Sequence, residues 1–259
     1  MNDERPWRRD ASSVEDGVRT AAVWTQLHAL SESRRSELSR PLRVLDLGGG
    51  TGGLAVALAE QGHSVIVVDP NADALASLAR RAEESSASAR VTAVQGDADS
   101  LASTITPGSI DLLSCHGALE YVDDPERTLS LIAGVLAPGG HLSLVTAQRV
   151  AAVFARALAG RFDQARAALT SEDGRWGEED PVPRRFDRSD LAEMLTRTGF
   201  TTLGARGVRI FSDLVPHEYV DAEADRQALL ELEELAADDD GHIGLSALGA
   251  AMHLIARRD

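Results

Sequence analysis

Val44-Leu45-Asp46-Leu47-Gly48-Gly49-Gly50-Thr51-Gly52-Gly53 is the stretch on which the reading of this chain turns. Val44, Leu45 and Leu47 are apolar and turn residues follow at once, which predicts a short buried strand. The glycines let the backbone turn sharply and approach a ligand with no Cβ in the way. The helix predicted next, Leu54 to Glu60, would aim its N-terminal N–H groups and positive dipole end at that ligand. A nucleotide-like cofactor site follows.

Two cofactor classes fit the glycines. Gly48-x-Gly50-x-x-Gly53 satisfies the dinucleotide fingerprint, which an NAD-dependent oxidoreductase would use. Asp46-x-Gly48-x-Gly50-x-Gly52 satisfies the pattern of S-adenosyl-L-methionine (SAM) enzymes. Asp46 separates them. A carboxylate at the end of a buried strand is costly unless it is paired. Pyrophosphate would repel it, whereas SAM offers an ammonium and a sulfonium. A purely structural alternative has Asp46 cap the glycine loop by accepting from backbone N–H groups.

The next strands carry acids in the same place. His63 to Val68 predicts a second buried strand ending in Asp69, suited to ribose hydroxyls. Val91 to Gln95 predicts a third, followed by Gly96-Asp97-Ala98-Asp99, where an acid suits the exocyclic amine of adenine. Carboxyl ends of parallel strands are where ligands bind in open α/β sheets.

The 259 residues suffice for one large α/β domain. A net charge of −15 argues against a general nucleic-acid binder and against DNA as a partner, although all 26 basic residues are arginine and local basic patches exist. With Cys115 as the one cysteine, neither an intramolecular disulfide nor a cysteine zinc site is available, and no metal is expected. Met1 to Asp10 lacks an apolar h-region, and no apolar run approaches the roughly 20 residues of a membrane span. The expectation is a cytoplasmic protein with no membrane partner; the sequence sets no oligomeric state.

Alternating βα units predict a Rossmann-like α/β fold. We expect seven mostly parallel strands, helices on both faces and helical insertions over the active site. Strand four is expected over Ser109–Ser114, strand five over His141–Thr146, strand six over Phe200–Phe211 with a bend at Gly204 or Gly207, and an antiparallel edge strand over Ala250–Ala256. A single domain over 1–259 divides into a helical lid (1–40), a SAM-binding core (41–147), an insertion (148–186) with one helix from Val150 to Ala168, and a C-terminal part with an acidic helix (187–259).

These motifs, with Leu136-Ala137-Pro138-Gly139-Gly140, fall in the order of class I SAM-dependent methyltransferases, which the chain resembles. Within that class it is most similar to the tRNA 5-carboxymethoxyuridine methyltransferases. Gly17-Val18-Arg19 through Trp24, His116-Gly117-Ala118-Leu119-Glu120-Tyr121-Val122-Asp123-Asp124-Pro125, Ala159-Gly160-Arg161-Phe162-Asp163, Gly207-Val208-Arg209-Ile210-Phe211-Ser212-Asp213 and Leu229-Leu230-Glu231-Leu232-Glu233 carry the likeness. The resemblance implies methylation of a wobble-uridine carboxylate in tRNA. It gives cofactor-binding roles to Arg19, Gly48, Gly49, Asp69, Ala98, Asp99 and His116, beside Asp46, Gly50 and Asp97 from the residue reading. One departure is Ser171 to Asp180, where only Arg175 is basic and the family is lysine-rich. That acidity favours the alternative acceptor, a small-molecule carboxylate or hydroxyl.

A carboxylate acceptor is already ionised at pH 7 and needs a cation to hold it, not a base. Arg149, Arg184, Arg185 and Arg209 are the candidates, with Arg149 and Arg209 preferred alongside His116. A hydroxyl acceptor would instead use His116 or His217 as base. Tyr121 and Trp176 could stack on an aromatic acceptor.

Overall fold

Seven strands form one sheet: β1 (Arg43–Leu47), β2 (Ser64–Asp69), β3 (Val91–Gln95), β4 (Ile110–His116), β5 (Leu136–Ala147), β6 (Phe200–Val208) and β7 (Ala251–Arg258). Their order across the sheet is β3-β2-β1-β4-β5-β7-β6. The computed structural model describes residues 13–238 and 244–259. The pairs β1–β2, β1–β4, β2–β3 and β4–β5 are parallel, and β7 is antiparallel to both β5 and β6. The order reverses between β2-β1 and β1-β4, so the carboxyl ends of β1 and β4 flank a crevice of the kind that binds ligands.

The helices are α1 (Ser13–Leu38), α2 (Gly53–Glu60), α3 (Ala72–Glu84), α4 (Leu101–Thr104), α5 (Pro125–Val135), α6 (Arg149–Leu158), α7 (Phe162–Thr170), α8 (Arg188–Arg197) and α9 (Glu223–Ala237). Successive strand residues point to opposite faces, and both faces are covered. Val44, Val65, Val67 and Leu112 pack with Leu27 of α1, Leu58 of α2 and Leu78 of α3. Leu45, Val68, Leu113 and Leu142 pack with Leu101 of α4, Leu129 and Ile132 of α5 and Leu191 of α8.

Local chemistry starts these helices. Asn71 accepts from the N–H groups of Asp73 and Ala74 at 2.9 and 3.2 Å, and Asp124 accepts from that of Arg127 at 3.0 Å, with Pro125 at the first turn. Each such cap contributes about 1 kcal/mol. Helix α2 differs: it is entered from Gly52 at φ +76 with no side-chain cap, which leaves its first N–H groups open to the crevice.

Three sequence expectations change. The antiparallel strand β7 lies inside the sheet, not at its edge, because β6 pairs along its outer side. The single insertion helix is two, α6 and α7, broken where Gly160 turns left-handed at φ +71. Strand six ends at Val208 rather than Phe211, since Arg209 leaves extended geometry at φ +57; its ladder slips between Thr202 and Gly204, at one of the two expected bends.

Candidate functional site

The glycine loop binds back onto the sheet through Gly48, whose N–H donates to the Val68 carbonyl at 2.8 Å. At Gly49 a Cβ would sit 2.4 Å from Asp46 Oδ2, so only glycine lets the loop pass over that carboxylate. Around Gly50 and Gly53, by contrast, an added Cβ would meet nothing within 4 Å. Asp69 accepts from the N–H groups of Gly50 and Asn71, both at 2.8 Å. The loop-capping role considered for Asp46 therefore falls to Asp69, whose carboxylate keeps lone pairs for a further donor.

Asp46 is 3% exposed and accepts one hydrogen bond, from Ser114 Oγ at 2.6 Å. Its other oxygen, Oδ2, is buried without a partner. Burial raises its pKa to about 6 against the Ser114 hydrogen bond, with a smaller push from Asp69. A carboxylate left this way is costly unless a cation completes it.

A cavity of about 760 Å³ opens over the carboxyl ends of β4 and β5. Its lining includes Trp24 of α1, Gly53 and Leu54 of α2, His116, Glu120 and Arg209. His116 ends β4, with Nε2 2.8 Å from Ser143 Oγ, and burial lowers its pKa to about 4. Glu120, 5% exposed, accepts from the Ala147 N–H at 2.7 Å through one oxygen; the other is buried and unpartnered, and burial raises its pKa. Arg209 holds a left-handed backbone that a non-glycine residue adopts at a cost of order 1 kcal/mol. It has one loose ion pair, to Asp213 at 3.6 Å. A second cavity of about 270 Å³, lined by Phe154, Arg156, Trp176 and Arg185, shares Ala147, Arg209 and Ala250 with the first. Arg209 thus stands at their junction.

Among the described residues the other candidates lie outside the first cavity, Arg185 and Trp176 lining the second. Arg149 does not line either cavity: its guanidinium donates to the carbonyls of Ala168, Ser171 and Glu172 and pairs with Asp187 at 2.7 Å, pinning the insertion. Arg184 donates to the Val122 carbonyl, and Arg185 is engaged bidentately by Asp180 at 2.5 and 3.0 Å. Asp97 is exposed and accepts from the Ser100 N–H, Ala98 is buried, and Asp99 is exposed and pairs with Arg127 at 3.2 Å. Trp176 is buried beneath Arg156, whose guanidinium lies 4.2 Å from the ring centroid, while Tyr121 is exposed. Arg19 lies on α1, but its side chain and that of His217 fall outside the described residues. Burial, with Glu120 and Asp46 nearby, pushes the Cys115 thiol up to about 12, which makes it inert.

Glu120 and Ser114 carry site geometry that the sequence reading did not single out. A glutamate flanked by Leu119 and Tyr121 just after a strand reads as a loop acid, and its burial follows only from the turn that brings it under Ala147.

A methyltransferase-domain family profile matches residues 21–204. The tRNA 5-carboxymethoxyuridine methyltransferase of Escherichia coli (strain K12) is 32% identical over 243 residues, covering 93% of this chain and 88% of that protein. The chain belongs to the class I SAM-dependent methyltransferases. A ubiquinone biosynthesis O-methyltransferase of Xanthomonas euvesicatoria pv. vesicatoria is 37% identical over 139 residues, 52% of this chain and 57% of that protein. The fold is that of a SAM-dependent methyltransferase from Mesorhizobium loti, at 23% identity and a TM-score of 0.57, covering 84% of this chain and 91% of that one.

The residues present fit SAM. The unpartnered Asp46 oxygen beside Gly49 offers an anion to an ammonium, and the space over Gly50 and Gly53 lets a ligand reach the uncapped start of α2. Among the described residues no cluster of His, Cys, Asp and Glu could hold a metal ion, and no helix is long and apolar enough to cross a membrane.

Proposed function

We propose that this methyltransferase esterifies the carboxylate of 5-carboxymethoxyuridine at a tRNA wobble position. The observation that carries the reading is the likeness to the Escherichia coli enzyme of that name over 93% of the chain, insertions included. Such a role belongs in the cytoplasm.

Bound SAM supplies an electrophilic methyl group on its sulfonium. The chain's own residues orient the partners and exclude water, which is where most of the rate of such a displacement comes from. Asp46 pairs with the cofactor's ammonium and Asp69 accepts from its ribose. Arg209, loosely paired and at the junction of the cavities, holds the acceptor carboxylate. No base is needed, since the acceptor is ionised. Residues 13–40 of the expected lid close over the cofactor, residues 1–12 lying outside the described residues, and residues 148–186 form the acceptor side. There the exposed Phe154 and Phe162, with Arg161 and Arg166, supply the aromatic and cationic surface that single-stranded RNA favours.

Glu120 favours a second reading. Its buried, unpartnered oxygen and raised pKa suit a general base for a hydroxyl acceptor, the chemistry named by the ubiquinone-pathway relative. Purified protein with methyl-labelled SAM separates the two. Label should enter tRNA carrying carboxymethoxyuridine as a base-labile ester and should not enter tRNA lacking it. Absence of label from the carboxymethoxyuridine tRNA removes the first reading, and transfer to small phenols then supports the second.

A further inference from the structure

A chain of hydrogen bonds runs from the surface to the cavity through side chains the proposed chemistry does not use. At its outer end Arg206 of β6 is held by Glu234 at 2.8 Å and Asp238 at 2.6 Å. A guanidinium has donors only, so Gln26 of α1 must turn its amide oxygen toward Arg206, accepting at 2.8 and 3.1 Å. Its NH₂ then donates to Nδ1 of His253 at 2.8 Å. His253 is 1% exposed, and burial, with His116 and Arg206 nearby, lowers its pKa to about 3, so the ring is neutral. With Nδ1 accepting, its proton sits on Nε2, which donates to Ser143 Oγ at 2.8 Å. Ser143, fully buried, has one hydroxyl proton, and the remaining contact it can give it to is His116 Nε2 at 2.8 Å.

We propose that this relay, Arg206–Gln26–His253–Ser143, fixes His116 as the neutral tautomer protonated on Nδ1. His116 then acts as a hydrogen-bond donor to an oxygen of the methyl acceptor, not as the base of the reaction. Its Nε2 lone pair is spent on Ser143, while Nδ1 has no protein partner among the described residues and the ring lines the cavity. The role rests on the reading that the acceptor offers an ionised oxygen, which a donor steers and which needs no base; a hydroxyl acceptor would need a base, which His116 in this state is not. Arg206 can only donate, and each contact fixed from it leaves the next group one option, which is why a donor-only arginine on β6 decides the protonation of a histidine on β4. Because Gln26 belongs to α1, the polarity holds only while that helix is docked. The His253 and His116 rings also meet edge to face, 5.8 Å between centroids and 76° between planes. Glu120 and Arg209 are the charged groups that share the cavity with His116.

The test reads the tautomer directly. In full-length protein with ¹⁵N-histidine, long-range ¹H–¹⁵N spectra should show His116, assigned by its loss in His116→Gln, with a pyrrole-like Nδ1 and a pyridine-like Nε2. A proton on Nε2, or an imidazolium at neutral pH, overturns the proposal. Ser143→Ala and Gln26→Leu should both release the tautomer to a mixture and lower kcat about tenfold, the worth of one hydrogen bond, with the Kd for SAM unchanged. Gln26 does not line the cavity, so a merely structural role for it would leave the His116 spectrum as it was. Unchanged His116 spectra in both variants overturn the relay; if Ser143→Ala fails to fold, the wild-type and Gln26→Leu spectra decide alone. The spectra need no acceptor, so a failure of the tRNA reading leaves their result standing.

Discussion

Two buried aspartates on neighbouring strands, Asp46 at the carboxyl end of β1 and Asp111 at the start of β4, have opposite fates. Asp111 accepts from both Nη atoms of Arg40 at 2.8 and 2.9 Å and from the Arg43 N–H at 2.8 Å, with the Arg43 guanidinium at 3.3 Å. Burial alone would raise its pKa, but these bonds outweigh burial and hold the carboxyl at about 2. Asp46 is as deeply buried, has one serine hydroxyl, and sits at about 6. The chain satisfies its own charge at one end of the sheet and leaves it unsatisfied at the other. An unpartnered buried carboxylate works against folding, so its presence in a glycine cradle points to a ligand that completes it.

The sharpest way to break this contrast is Asp46→Asn. The amide keeps an acceptor for Ser114 but loses the charge. Calorimetry should find the Kd for SAM raised about 100-fold, or about 2.8 kcal/mol, near the top of the range for a hydrogen bond to a charged group. Without SAM the variant should melt no lower than wild type, because the penalty of the buried charge is gone. A Kd within a few-fold of wild type removes Asp46 from the cofactor site.

Asp111→Asn probes the other end and should do the reverse. Losing a buried partner of two half-exposed arginines should cost about 2 kcal/mol of stability, less than a fully buried pair because water screens Arg40 and Arg43. Denaturant melts measure that loss, while the Kd for SAM of the folded protein stays put. A stability change below about 0.5 kcal/mol would mean that the Arg40–Asp111 fork adds nothing beyond a surface ion pair.

The same contrast shows what was legible in the sequence. Apolar runs ending in acids located β1 and β2, and the glycines that follow Asp46 located the crevice, since those signals are local. Asp111 falls inside the expected strand four without standing out, because its partners Arg40 and Arg43 are some 70 positions away and reach it only after β1 and β4 pair. The contacts of Arg149 were illegible for the same reason: its carbonyl partners exist only once α7 folds back on α6. The inner position of β7 depends on where β6 docks, which no periodicity encodes. Glu120, Ser143 and His253 carry single-residue signals too weak to stand out, and their grouping is a property of the assembled sheet.

The smallest effect, and the one that compares the two carboxylates in a single protein, is pH dependence. The folded pKa of Asp46 lies above its unfolded value of 3.8, so the folded state holds that proton more tightly. This group's contribution to the stability of the SAM-free protein is therefore best below about pH 4 and is lost as pH rises through about 6. SAM favours the ionised form, so its binding should weaken below pH about 6, approaching tenfold per unit. Asp46→Asn should flatten that segment of the Kd profile, which assigns it to Asp46. Asp111 runs the other way: its folded pKa is depressed, its contribution is full above about pH 4, and it is lost as pH falls through about 2. A wild-type Kd that stays flat from pH about 7 to about 5 would mean that Asp46 takes no part in holding the cofactor, and that its unpartnered oxygen is only a cost.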